Sequence, residues 1–178
     1  MPLVVSFDVG TRNLGVAIVR FRGTDAAADT DTPAYTVLAL HNLDTGEGTM
    51  MQRAARLPAL LQPLLSPHVP PNGLLHVVIE QQPTFNAPMF AMQLAIAAAL
   101  ASLFPLAQVS AVHPRLKDGA LALQPKAPYA ARKRAAVAMA ERVWTAQGVE
   151  VPRGKRDDVA DALVQALAWA QKKLNLRV

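Results

Sequence analysis

The chain has 178 residues and no cysteine, so disulfides and thiolate metal sites are excluded. That length suits one domain, which buries roughly two-thirds of the surface its unfolded form exposes and needs no covalent staple. Its net charge of +5 is unevenly spread: residues 112–156 carry ten Lys/Arg against three acids, while the remainder carries eight bases and ten acids. A basic segment beside a slightly negative remainder is the electrostatic footprint of a phosphate-backbone binder, although a basic helix is also an ordinary solvated face.

MPLVVSFDVG has neither a basic signal-peptide start nor a transit-peptide composition, so the chain is expected to work inside the cell in which it is made. LVVSFD (3–8) is apolar on both faces until its last position and reads as a central strand that ends on Asp8. Turn residues Gly10 to Asn13 lead into LGVAIVRF (14–21), an antiparallel neighbour at hairpin distance. Residues 22–34 read as a polar loop and YTVLALHNL (35–43) as a third strand that completes a meander. MMQRAARLPALLQPLL (50–65) has helical spacing, with Pro58 and Pro63 expected to kink or end the helix.

After a linker over 67–73, LLHVVIE (74–80) is an apolar strand that finishes on its only acid, Glu80. No charge occurs from Gln81 to Val112, but the helical part, Pro88 to Leu103, is short of the roughly 20 residues a membrane span needs. A core or subunit-interface helix is expected there, with Asn86 as N-cap and Pro88 in its first turn. PLAQVSAV (105–112) reads as a fifth strand and residues 113–128 as a loop. Two further helices follow: 129–147, stopped by Gly148, and 156–174, with an apolar stripe of Val159, Leu163, Ala166, Leu167 and Ala170. The expected order is β-β-β-α-β-α-β-α-α in a single domain.

Four carboxylates stand at segment ends: Asp8, Glu80, and Asp158 with Asp161. On a helix the last two lie about 60° apart around the axis and can reach one ion. Carboxylates 5 Å apart repel by roughly 3 kcal/mol at an effective dielectric of 20, so four in one cleft require a cation. An all-oxygen donor set selects Mg²⁺ or Mn²⁺, and two such ions about 4 Å apart stabilise the attacking and leaving oxygens of a phosphoryl displacement. Structural readings stand beside this one. Asp157 and Asp158 suit the first turn of a helix, the Asp158/Asp161 edge lies nearly opposite the apolar stripe, Asp8 suits an Asx-turn, and Glu80 suits a strand end facing water. His41, His68, His76 and His113 show no metal-ligand spacing and read as surface or core residues.

FDVGTRNLGVAIV around Asp8, VVIEQQP around Glu80 and KRDDVADALVQAL around Asp158 and Asp161 resemble the RuvC-type Holliday junction resolvases of the ribonuclease H-like superfamily, in particular their poxvirus and fungal mitochondrial branch. The resemblance implies an α/β fold: a mixed five-stranded sheet, its first three strands antiparallel, flanked by helices. It also implies a Mg²⁺-dependent endodeoxyribonuclease of DNA recombination and repair, a homodimer with two sites nicking opposite strands of a four-way junction, without a nucleotide cofactor. Asp8, Glu80, Asp158 and Asp161 correspond to the metal ligands, with Asp157 as the alternative to Asp158. Lys117 matches a functional lysine after the fifth strand, in competition with Arg115. DNA contacts are expected from Arg115, Lys126, Arg132, Lys133, Arg134, Lys155 and Arg156. Phe85 reads first as a core aromatic, with base stacking at the crossover as the other reading. The fungal branch carries an N-terminal extension not seen here, which disfavours a mitochondrial origin and leaves a viral, phage or bacterial source open. Other readings are a broader flap or fork nuclease, an inactive binding module, or an actin-like ATPase fragment, since DxGTxxxG also resembles that superfamily's phosphate turn.

Overall fold

The computed structural model describes residues 1–22, 34–70, 73–121, 128–153 and 155–175. Most of the loop expected over 22–34, part of the linker over 67–73, and Lys126 with the middle of the loop over 113–128 lie outside the described residues.

Strands β1 (Leu3–Asp8), β2 (Asn13–Phe21), β3 (Tyr35–Asp44), β4 (Leu75–Glu80) and β5 (Gln108–Val112) form one mixed sheet in the order β3-β2-β1-β4-β5. β2 is antiparallel to β1 and to β3, whereas β4 runs parallel to β1 and to β5. β1 is therefore the central strand, as its two-faced apolarity requires. Alternation along the strands then sorts side chains into two cores. Leu3, Val5 and Phe7 join Leu75, Val77 and Ile79 beneath helices α1 (Met50–Leu65) and α2 (Ala87–Leu103). Val4 and Val78 face the opposite layer, built from α4 (Tyr129–Gln147) and α5 (Arg156–Lys173). Because side chains alternate with period two, Asp8 and Glu80 share the parity of Val4 and Val78 and belong to the α5 face.

α1 runs unbroken through Pro58 and Pro63, contrary to the expected kink or stop. Both prolines lie on the exposed face, while Leu57, Leu61 and Leu65, one turn apart, are buried. Interior prolines cost about 3 kcal/mol each, but carbonyls freed on the solvent side are hydrated, and burial of each leucine returns about 1.5–3 kcal/mol. A Thr49–Gln52 capping box secures the start of this helix.

α5 departs further from the expectation. In place of one apolar stripe, every residue from Val159 to Ala170 is buried, Asp161 and Gln165 included. The helix lies on the middle of the sheet and is covered by α4 and by α3 (Leu116–Ala120). Alanines at 160, 162, 166, 168 and 170 let those neighbours approach closely. The Asp158/Asp161 edge is thus not a solvated face. Gln165 Nε2 lies 3.0 Å from Ser6 Oγ, 3.2 Å from the Phe7 carbonyl and 3.4 Å from the Val78 carbonyl, tying α5 to β1 and β4. α3 itself stands in what the sequence reads as a loop: five residues holding Gly119, after Pro114, are too short to show helical periodicity. Among the described residues no helix is long and apolar enough to cross a membrane.

Candidate active site

β1 and β4 are parallel neighbours in register, Phe7 beside Ile79, so Asp8 and Glu80 emerge together at their carboxyl ends. Adjacent strands lie about 4.8 Å apart, which sets the spacing of the two acids. The backbone just beyond Glu80 is anchored: Gln81 N–H donates to the Val112 carbonyl at 2.7 Å, and Gln82 N–H donates to the Gln93 side-chain oxygen at 2.6 Å. Gln82 and Gln93 are both buried, so α2 orients the chain that carries Glu80.

α5 supplies the other two acids, and a glycine lets it come close enough. Gly15, paired with Asp8 on β2, faces the first turn of α5; a Cβ there would stand 2.2 Å from the Asp158 carbonyl oxygen. Only a residue without a side chain admits this approach. Asp8, Glu80, Asp158 and Asp161 therefore line one cleft of about 340 Å³, together with Lys117 from α3 and Arg132 and Lys133 from α4.

Two ammonium groups enter this acid cluster. Lys117 Nζ lies 2.8 Å from Glu80 Oε2 and 3.1 Å from Asp161 Oδ1, and Lys133 Nζ lies 2.6 Å from Asp161 Oδ2 and 3.2 Å from Asp157 Oδ2. Burial works against the charge of each lysine, but the surrounding carboxylates outweigh it and raise both ammonium pKa values above the ordinary lysine value. The Asp8 carboxyl is pushed up to about 8, by burial first and then by the charges of Glu80 and Asp161, with Lys117 and Lys133 opposing. Asp158 is also raised, by burial and then by neighbouring Asp157. Asp157 goes the other way: burial raises it, but the hydrogen bond and charge of Lys133 prevail and hold it low.

Among the described residues no three His, Asp or Glu side chains are gathered in a set that could hold a metal ion, and both oxygens of Asp161 face ammonium groups. The donor chemistry nevertheless fits a hard cation. All four acids offer oxygen, and burial together with the charges of Glu80 and Asp161 outweighs the two lysines at Asp8, whose carboxyl is pushed up to about 8.

The remaining expected residues separate. Asp158 lines the cleft, whereas Asp157 sits at its rim against Lys133. Arg132 lines the cleft and its buried Nε has no hydrogen-bond partner among the described residues. Arg115 points away, into a separate surface pocket beside Trp169, Lys172 and Lys173, so α3 directs Lys117 and not Arg115 toward the acids. Arg134, Lys155 and Arg156 are exposed outside the cleft lining, with Lys155 Nζ 3.9 Å from Asp158 Oδ2. Phe85 is no core aromatic: it is 91% exposed in the turn between β4 and α2, because the buried Gln82–Gln93 contact holds that turn at the surface. Residues not singled out in the sequence are Gly15, whose role depends on Asp158 far along the chain, and Gln82 and Gln93, which meet across the turn between β4 and α2. Lys133 was expected to meet DNA, not acids.

The profile of one family, the poxvirus A22 protein, matches residues 2–173. The chain belongs to this family. No curated protein sequence matches it. Among solved structures, this A22 family member shares its fold with Thermus thermophilus RuvC, at TM-score 0.68 and 21% identity over 97% of this chain and 96% of that one. The fowlpox virus resolvase in complex with substrate Holliday junction DNA aligns at TM-score 0.60 and 16% identity, covering 97% and 99%. The yeast mitochondrial Holliday junction resolvase Ydc2 aligns at 0.57 and 13%, covering 97% and 81%.

Proposed function

We propose that this chain is a structure-selective endonuclease that resolves four-way DNA junctions by phosphodiester hydrolysis, working as a homodimer of single nuclease domains with two Mg²⁺ ions per site. The observation that carries the proposal is the convergence of four carboxylates from three separate segments in one cleft flanked by a basic helix. Membership in the poxvirus A22 family supports it, as do the folds of RuvC and of the fowlpox resolvase, both solved with Holliday junction DNA.

Asp8, Glu80, Asp158 and Asp161 would hold the ions, with Mn²⁺ able to replace Mg²⁺. Bound there, the metal supplies Lewis-acid polarisation of the phosphate and activation of water. The protein's own groups bind and orient. Arg132, which lines the cleft, and Lys117, held between Glu80 and Asp161, place positive charge where a phosphate oxygen enters. Asp157 and Asp158 in the first turn of α5 suit the positive end of its dipole. Phe85, exposed beyond Glu80, offers a face for stacking on a base at the branch point. Lys155, Arg156 and Arg134 provide backbone contacts outside the cleft.

The test compares Mg²⁺-dependent cleavage of a synthetic four-way junction with that of a linear duplex of the same sequence. The parent protein should prefer the junction, and Asp158→Asn should lower its cleavage rate by about a thousandfold while leaving the fold intact. Equal cutting by parent and variant would refute the site. Equal cutting of junction and duplex would refute the junction selectivity.

A further inference from the structure

Both Asp161 oxygens are occupied by ammonium groups, Oδ1 by Lys117 at 3.1 Å and Oδ2 by Lys133 at 2.6 Å. Each Asp161 oxygen keeps a second lone pair for a metal, but a divalent ion bound there would stand beside two ammonium charges, and that repulsion favours withdrawal of one lysine. The two lysines are not equivalent. Lys117 is the more deeply buried, and its acidic partners among the described residues, Glu80 and Asp161, are both cleft residues. Lys133 is more exposed and already touches a carboxylate that does not line the cleft, Asp157, at 3.2 Å.

We infer that Lys133 is an exchangeable counter-cation of the metal-free site and that Asp157 is its parking carboxylate, receiving the ammonium when a divalent ion takes Asp161. The exchange conserves ion pairing. Lys133 keeps one charge-assisted hydrogen bond throughout, and the side chain needs only a small swing between two acids four residues apart on one face of α5. Asp157 then acts through Lys133 as a positioning residue, and Asp158, which lines the cleft, remains the ligand. Because Lys133 stands on α4, metal entry also alters the tie between the basic helix and the acid cluster.

This inference rests on the proposed metal site, and its test separates the two. Mn²⁺ affinity is measured by calorimetry, without DNA, for the parent, Lys133→Met, Asp157→Asn and the double variant; circular dichroism verifies folding, and Lys133→Gln repeats the lysine deletion with a polar side chain. Removing the competitor should tighten Mn²⁺ binding roughly tenfold, the loss of one charge-assisted contact. Asp157→Asn should weaken binding severalfold in the parent and have no effect once Lys133 is gone. Two charges acting only through their fields would add instead. An Asp157→Asn effect of equal size in both backgrounds therefore overturns the parking role, and so does Mn²⁺ affinity unchanged in Lys133→Met. Asp161→Asn is the control for the reading beneath: if it binds Mn²⁺ as tightly as the parent, the metal site itself is refuted, and the inference with it.

Discussion

Asp8 shows how position alone changes the chemistry of a residue. On a free chain it is an ordinary carboxylic acid of pKa 3.8; buried at the end of the central strand, beside Glu80 and Asp161, it is pushed up to about 8. A raised folded-state value means that the native protein binds a proton which the unfolded chain has released. Without metal, stability should therefore fall as pH rises from about 4 to about 8, with a slope from this group of at most about 1.4 kcal/mol per pH unit. Thermal denaturation in a chelator should show that decline, and Asp8→Asn should flatten it. A variant whose profile parallels the parent's would show that Asp8 is already ionised in the metal-free fold. Saturating Mg²⁺ should also flatten the profile, since the cation stabilises the carboxylate that the two lysines leave under-neutralised.

Among the elements, α5 carries the most. It fills the space above the sheet, presents Asp158 and Asp161 to the cleft, and is tied to β1 and β4 through Gln165. Its seat depends on Gly15. Gly15→Ala sets a methyl group against the Asp158 backbone, which has no flexible side chain to yield, so the first turn of α5 must lift away from Asp8. Denaturant unfolding should show a loss of about 2–4 kcal/mol, and junction cleavage should drop more steeply than stability. A variant with parental stability and activity would place the α5 contact elsewhere. This dependence was invisible in the sequence, where Gly15 reads as the last glycine of DxGTxxxG, with nothing to link it to α5. The strands and long helices were legible because each has a period of its own. α3 was not, because a five-residue helix has none. The true burial of α5 was hidden too, because a run of alanines among leucines shows one strong stripe even when all faces are covered.

At the scale of the whole molecule, the sheet separates two functions onto two faces. The acid cleft and basic helix α4 lie with α5, while the uncharged helix α2 lies on the other side of the sheet. α2 buries Met92, Ile96 and Leu100 but leaves Leu94 half exposed, with Ala91, Ala98 and Ala101 also outward. Such a strip is the surface expected to meet a second copy of the chain. Sedimentation at micromolar concentration should show a dimer for the parent and a monomer for Leu94→Glu, and the monomer should nick one strand without pairing the cuts. A dimer that survives the substitution would move the interface off α2.

The sequence by itself determined the order of the strands and long helices, the central place of β1 and the four acids that stand at segment ends. Hydrophobic period and segment-end carboxylates are local properties, written within a few residues of one another. Only the tertiary structure decided which acids share a cleft, that Asp157 turns to Lys133 while Asp158 faces inward, and that Lys117 and not Arg115 points at the acids. It also exposed Phe85 and buried the whole waist of α5. Those outcomes depend on which surfaces of separate elements meet. Contact of that kind is set by packing and by the absence of a side chain at Gly15, neither of which leaves a periodic trace in the sequence.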